Sequence, residues 1–172
     1  MSETELSTPQ PVVLAERLLG TEAFAQLFKE GMSLVESTAA YLDGPGRQES
    51  RALDRTASLA YATESMRLTT RLMQLASWLL LQRAVNDGEL TTEQAKNEKN
   101  KVRFSGAAAP ENDLLGQLPE RLRELISGSI ALQDKVVRLD AMLYSDRREL
   151  PPADNPVERQ LGLLKAAFER PA

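Results

Sequence analysis

The sequence predicts an all-α protein: a three-helix up-down-up bundle with a long central helix, a flexible N-terminal arm and a flexible C-terminal tail. Three observations carry that expectation. Apolar residues recur at spacings of three and four through three long segments, the period of a helix with one buried face. No run alternates apolar and polar residues in the manner of a strand, and no Asn-Gly hairpin signal occurs. Residues 51–85 form one helical segment that turns apolar on nearly every side toward its C-terminal end.

Residues 1–20 read as an arm. Two prolines (Pro9, Pro11) follow a polar start, and a weakly amphipathic stretch (Val12, Val13, Leu14, Leu18, Leu19) ends at Gly20. Residues 21–145 make the bundle domain. Thr21 is the expected N-cap of its first helix, and Phe24, Leu27, Phe28, Leu34, Val35, Thr38, Ala39 and Leu42 share one stripe. Asp43-Gly44-Pro45-Gly46 stops that helix, since proline cannot continue one and glycine can adopt the left-handed conformation beyond it.

The second helix is expected from about Ser50 to Asn86 or Asp87, ended by Gly88. At about 1.5 Å per residue it would be a rod of roughly 55 Å. In it Leu72, Met73, Leu75, Ala76, Trp78, Leu79, Leu80, Leu81, Ala84 and Val85 point to all sides. Such a helix must be covered all round, as the centre of a bundle or the seam of an oligomer. It does not read as a membrane span: the run free of charge and amide, Leu75 to Leu81, falls far short of the roughly 20 residues needed. Arg67, Arg71 and Arg83 would be costly at membrane depth.

Thr91-Thr92-Glu93-Gln94 has the form of a capping box, so a short polar helix to about Lys99 is expected, then a loop to Gln117. The third long helix opens with Pro119 in its first turn, where the missing N–H costs nothing. Leu122, Leu125, Ile126, Ser129, Leu132, Val136, Leu139 and Leu143 form its stripe. Gly128, between Ser127 and Ser129, is read as a place where a neighbouring helix comes close. Pro151, Pro152 and Pro156 begin a tail over residues 146–172, in which Val157, Leu161, Leu164 and Phe168 face one way on a possible short amphipathic helix. A helix that short orders only against something else.

Composition narrows the function classes. Among 172 residues there is no cysteine and no histidine. Disulfides, thiolate chemistry and cysteine-ligated metals are excluded, and the commonest general base and metal ligand are missing. No spacing supports carboxylate or serine–lysine catalysis. The expectation is a non-enzyme with no catalytic residues, no metal and no cofactor. A net charge of −4 disfavours nucleic-acid binding, which rests on neutralising phosphates. The N-terminus lacks the basic and apolar regions of a signal peptide, so a cytoplasmic location is expected.

Partner contacts are assigned to three places. Glu64, Arg67, Arg71, Gln74 and Trp78 lie within roughly 80° around the second helix, and arginine and tryptophan are frequent interface anchors. For Trp78 the core or a dimer seam is the leading reading, and the charges can pair internally. The corner Gly44, Pro45, Gly46 and Arg47 is a tight exposed turn without a phosphate-binding pattern. Leu161, Leu164 and Phe168 of the tail can dock as a helix in a groove or fold back on the bundle. Arg47, Arg51 and Arg55, spaced by four, read as a solvated, salt-bridged face, with nucleic-acid contact the disfavoured reading.

Beyond this the residues resemble a known family. Phe28-Lys29-Glu30-Gly31-Met32 with Val35-Glu36, then residues 40–47 (AYLDGPGR), look like the first helix and corner of the RcdA family. Residues 59–85 (LAYATESMRLTTRLMQLASWLLLQRAV) resemble its second helix closely, and residues 118–140 are similar to its third. The likeness spans roughly residues 21–144. It implies a dimeric three-helix adaptor of alphaproteobacteria that helps deliver cell-cycle regulators such as CtrA to the ClpXP protease, alongside accessory adaptors. The alternative is a dimeric helical scaffold with no protease link. Neither reading involves nucleic acid or a membrane.

Overall fold

The structure, a computed structural model, describes residue 20, residues 22–99 and residues 112–144. Among these, helices account for the regular structure and no strand occurs. The expected arm before Gly20, the Thr21 cap and the whole tail, with Leu161, Leu164 and Phe168, lie outside the described residues.

Helix α1 (Glu22–Asp43) buries Phe24, Leu27, Thr38 and Tyr41 along its stripe and ends at Gly44, whose N–H bonds to the Tyr41 carbonyl at 3.2 Å. Gly44 stays at negative φ, so the stop owes nothing to a left-handed residue. The corner is also more than a turn. Pro45 opens a short helix, α2 (Pro45–Arg51), in the first-turn position where its missing N–H is free of cost.

The second long helix therefore starts later than expected. Ala52 and Leu53 close α2 with bonds to the Glu49 and Ser50 carbonyls. Asp54 then caps α3 (Arg55–Asn86), its Oδ1 accepting from the Ala57 N–H at 2.8 Å. A side-chain cap satisfies one of the orphan donors of a new helix start, which fixes the break at this residue. The break also divides the arginine row: Arg47 and Arg51 sit on α2, and Arg55 opens α3. At the far end Gly88 holds φ at 75°, the left-handed conformation suited to glycine, and ends α3 as expected.

The capping box is present. Gln94 N–H donates to Thr91 Oγ1 at 3.2 Å, and Thr91 N–H to Gln94 Oε1 at 3.0 Å, at the start of α4 (Thr92–Lys99). A single turn, α5 (Asn112–Leu115), stands in the region expected to be loop. Helix α6 (Glu120–Tyr144) follows Pro119, whose carbonyl accepts from Arg123 N–H at 3.1 Å.

Each of α1, α3 and α6 packs on the other two, but they do not run up-down-up. The Arg83 guanidinium lies over the Phe28 ring at 5.1 Å and Leu79 abuts Gly31, so α1 and α3 are antiparallel. Lys135 pairs with Glu30 at 3.0 Å and Leu34 lies against Gly128, so α1 and α6 are antiparallel too. Along α3 and α6 the partners rise together: Arg71 with Ser129, Trp78 with Asp140, Gln82 with Tyr144. These two helices are parallel, and the order is up-down-down. Parallel neighbours require the chain to travel back the length of a helix. The chain has made that return by α5, where Leu114, Leu115 and Leu118 lie beside Ala60 near the start of α3.

Leu68, Leu75, Leu79, Leu122, Leu132 and Val136 form the fully buried centre. Each such side chain contributes about 1.5–3 kcal/mol by leaving water. The close helix approach sits at Gly31, where a Cβ would collide with the Leu79 side chain. At Gly128 a Cβ would meet Leu34 at 3.5 Å, an ordinary contact, so the close approach expected there is displaced to α1.

The all-round apolar helix is covered only in part. Leu72, Leu75, Trp78 and Leu79 are buried, but Leu59, Met66, Met73 and Leu80 are 70, 72, 67 and 53 % exposed. No helix among the described residues is long and apolar enough to cross a membrane.

Candidate partner-binding surface

The strip on α3 divides into buried and open halves. Glu64 is buried against Arg67, whose half-exposed Nη1 donates to its Oε1 at 2.7 Å. Arg71 is only 7 % exposed and donates to Ser129 Oγ at 2.8 Å, and that hydroxyl donates in turn to the Ile126 carbonyl at 2.7 Å. Burial lowers the Arg71 pKa from its ordinary value; Glu64 opposes that and Arg67 adds to it. Trp78 is 2 % exposed, and its indole N–H donates to Asp140 Oδ1 at 2.8 Å.

Asp140 also holds Lys99 of α4 at 2.7 Å, and the Lys99 ammonium lies 4.4 Å from the centre of the Tyr144 ring. Trp78 and Arg71 thus fasten α3 to α6, and Asp140 fastens α4 to both. The five residues do not form one docking strip. An arginine and a tryptophan inside an apolar stretch found their partners on α6, as an internal charge and an indole donor must. Arg67 and the half-buried Gln74 are the members left at the surface.

The corner keeps Gly44, Pro45 and Arg47 exposed, with Arg47 Nη2 donating to Asp43 Oδ1 at 3.2 Å. Gly46 is buried, pressed beneath the Tyr61 hydroxyl and the Tyr41 backbone, so it positions the corner rather than presenting it. Tyr41 donates to Glu49 Oε2 at 2.6 Å, which ties α1 to α2. Burial and the Glu49 carboxylate raise the Tyr41 pKa above the phenol range.

One exposed feature among the described residues is a ridge the strip reading passed over. Leu59, Met66, Met73 and Leu80 repeat every seven residues, so they form a ridge along α3. Between them lie Ala62, Thr63, Thr69, Thr70, Ala76 and Ser77. Thr63, Thr69 and Ser77 spend their hydroxyls on the carbonyls of Leu59, Ser65 and Met73, at 3.0, 2.9 and 2.8 Å. The ridge therefore offers mainly methyl and methylene surface. The repeat of seven was legible in the sequence; what hid it was apolar residues on the other faces.

A cavity of about 220 Å³ lies between the start of α3 and α5, with Leu59, Leu115, Glu64 and Arg67 among its lining. A second, of about 180 Å³, lies between α1 and α3 beside Met73 and is lined by Val35, Thr38, Ala39, Thr69, Leu72 and Ala76. Among the described residues no group of three or more histidine, cysteine or carboxylate side chains is placed to hold a metal ion.

Fold and surface together define an all-helical protein whose contact features are built along one long helix. The chain belongs to the DUF1465 family, described as protein of unknown function, whose model matches residues 15–168. It is also similar to RcdA from Caulobacter crescentus CB15 in its crystal structure, at 50% identity and a TM-score of 0.61, covering 73% of this chain and 94% of that one. The resemblance to the RcdA family read from the sequence therefore holds. No curated protein sequence matches the chain.

Proposed function

We propose that this protein is a non-enzymatic, cytoplasmic proteolysis adaptor. It helps deliver cell-cycle regulators of the CtrA type to the ClpXP protease in an alphaproteobacterium, acting as a homodimer with accessory adaptors. The observation that carries the reading is its 50% identity to RcdA over 94% of that chain. Delivery of this kind raises the local concentration of a substrate at the protease and needs no chemistry of its own. Arg67, Gln74 and the exposed corner of Gly44, Pro45 and Arg47 are the contacts proposed for protease or adaptor, with Leu161, Leu164 and Phe168 of the tail as a docking segment.

The test is a reconstituted degradation assay with ClpXP, a CtrA-type substrate and the accessory factors, with and without this protein. Faster turnover is expected, reduced at least several-fold by Arg47→Glu with Arg67→Glu and by truncation after Asp146. Turnover unchanged across a panel of cell-cycle substrates would overturn the adaptor reading in favour of a helical scaffold.

A further inference from the structure

The cavity between the start of α3 and α5 has a size and a charge that together select a ligand. Its wall is mainly apolar, built from Leu59, Ala60, Leu114, Leu115 and Leu118. Ala60 and Leu118 are themselves buried, so the packing of the bundle sets its shape. Its volume is about 220 Å³. That exceeds the roughly 150 Å³ that holds a benzene molecule, and it falls short of the roughly 300–1,000 Å³ of a site for a whole organic ligand. The space suits one large apolar side chain and little more.

The charged part of the lining is cationic on balance. Glu64 and Arg67 belong to the lining, and Arg71 stands within electrostatic range of both. One carboxylate thus serves two guanidiniums. Arg71 is buried and donates to Ser129, so the surplus charge is presented by the half-exposed Arg67. Glu64 accepts from Arg67 Nη1 at 2.7 Å. A guanidinium carries five N–H donors, and the rest of the fork can receive a second carboxylate. Flanking charges offset one another: Asp54 adjoins Arg55 on α3, and Arg121 pairs with Glu124 at 2.8 Å on α6.

We infer that this cavity is a docking site for an extended, acidic segment of a partner protein. The segment inserts one large apolar side chain, a phenylalanine or leucine, and sets a neighbouring aspartate or glutamate on Arg67. A buried anchor in a preformed pocket is the usual source of affinity in such a contact. This deepens the adaptor reading proposed above, on which it rests, by giving the chemistry of one partner.

The test is methyl NMR of the full chain, titrated with acetyl-Asp-Phe-Asp-amide at millimolar concentration because a single anchor binds weakly. Shifts are expected at the methyls of Thr63, Leu115 and Leu118. Acetyl-Lys-Phe-Lys-amide and acetyl-Asp-Ala-Asp-amide should each bind at least fivefold more weakly. Arg67→Glu should reverse the preference between the acidic and basic peptides. Thr63→Trp, which fills the cavity, should abolish binding of both. These two positions are exposed, and unchanged helicity and unfolding midpoint verify that the variants fold.

Equal binding of the acidic and basic peptides by the wild-type chain, or no shift at the cavity methyls, would overturn the proposal. Octanoate shifting those methyls where the peptide does not would overturn it in favour of a small-molecule site. A response of the same methyls to dilution of the chain alone, or to truncation after Asp146, would make a second copy or the tail the occupant and overturn it too. The titration contains no protease, so its failure leaves the degradation assay to judge delivery. Peptide binding with no effect on turnover would overturn the adaptor reading alone.

Discussion

Two glycines show how single residues set the spacing between helices. At Gly31 the Leu79 Cδ1 occupies the space a Cβ would need, and Leu79 is fully buried, so its side chain must shift within a packed core. Gly31→Ala gains about 1 kcal/mol of helix propensity but incurs overpacking of about 1–3 kcal/mol. At Gly128 the added methyl would rest on Leu34 at 3.5 Å, and the propensity gain stands alone. Urea denaturation is expected to give Gly128→Ala a higher midpoint than wild type and Gly31→Ala a lower one. A stabilised Gly31→Ala would mean that α1 and α3 are further apart than described. The sequence marked Gly128 as the tight position because serines flank it; only packing shows that it is Gly31 whose Cβ position a leucine already fills.

At the scale of the element, α3 is held to α6 by polar groups whose roles differ from their appearance in the sequence. Arg71 is inside, bonded to Ser129, which is itself fully buried. Removing the hydroxyl by Ser129→Ala strands a guanidinium and is expected to cost about 1–3 kcal/mol. Arg71→Met takes the charge away altogether and should be close to neutral or stabilising, since replacing a buried charge by an apolar group of similar size often is. Equal losses in the two variants, read from thermal unfolding, would indicate that Arg71 reaches solvent or another charge. The same element shows how periodicity can be right and its interpretation incomplete. The residues that make α3 apolar on all sides are as expected, yet α1 and α6 cover only part of it. The heptad of Leu59, Met66, Met73 and Leu80 is what remains.

At the scale of the molecule, direction is the decisive feature. Because α6 runs parallel to α3, the start of each lies at one end of the protein, and the return between them carries α4 and α5. Spin labels on cysteines at Thr63 and Arg121 should therefore lie close together, and labels at Arg83 and Arg121 far apart, when labelled chains are diluted with unlabelled ones. The reverse order of distances would restore the up-down-up arrangement. The return also places α5 against the start of α3, so the cavity at Leu59 and Leu115 exists only in this topology.

The sequence by itself determined the three long helices and α4, most of their ends, and the family. Local chemistry is enough for these: the stripe of α6, the capping box of α4 and Gly88 after α3 act within a few residues of chain. It also carried the RcdA resemblance in residues 28–47 and 59–85. The break at Asp54, the direction of α6 and the burial of Glu64, Arg71 and Trp78 were decided only in three dimensions. Helical periodicity says which residues share a face but not what the face meets. In the sequence Trp78 reads as core, dimer seam or partner anchor and Arg71 as an external or internal pair, until Asp140 and Ser129, roughly sixty positions away, are brought beside them by a parallel return. Contacts that distant depend on the path of the chain, and the path is a property of the packed whole.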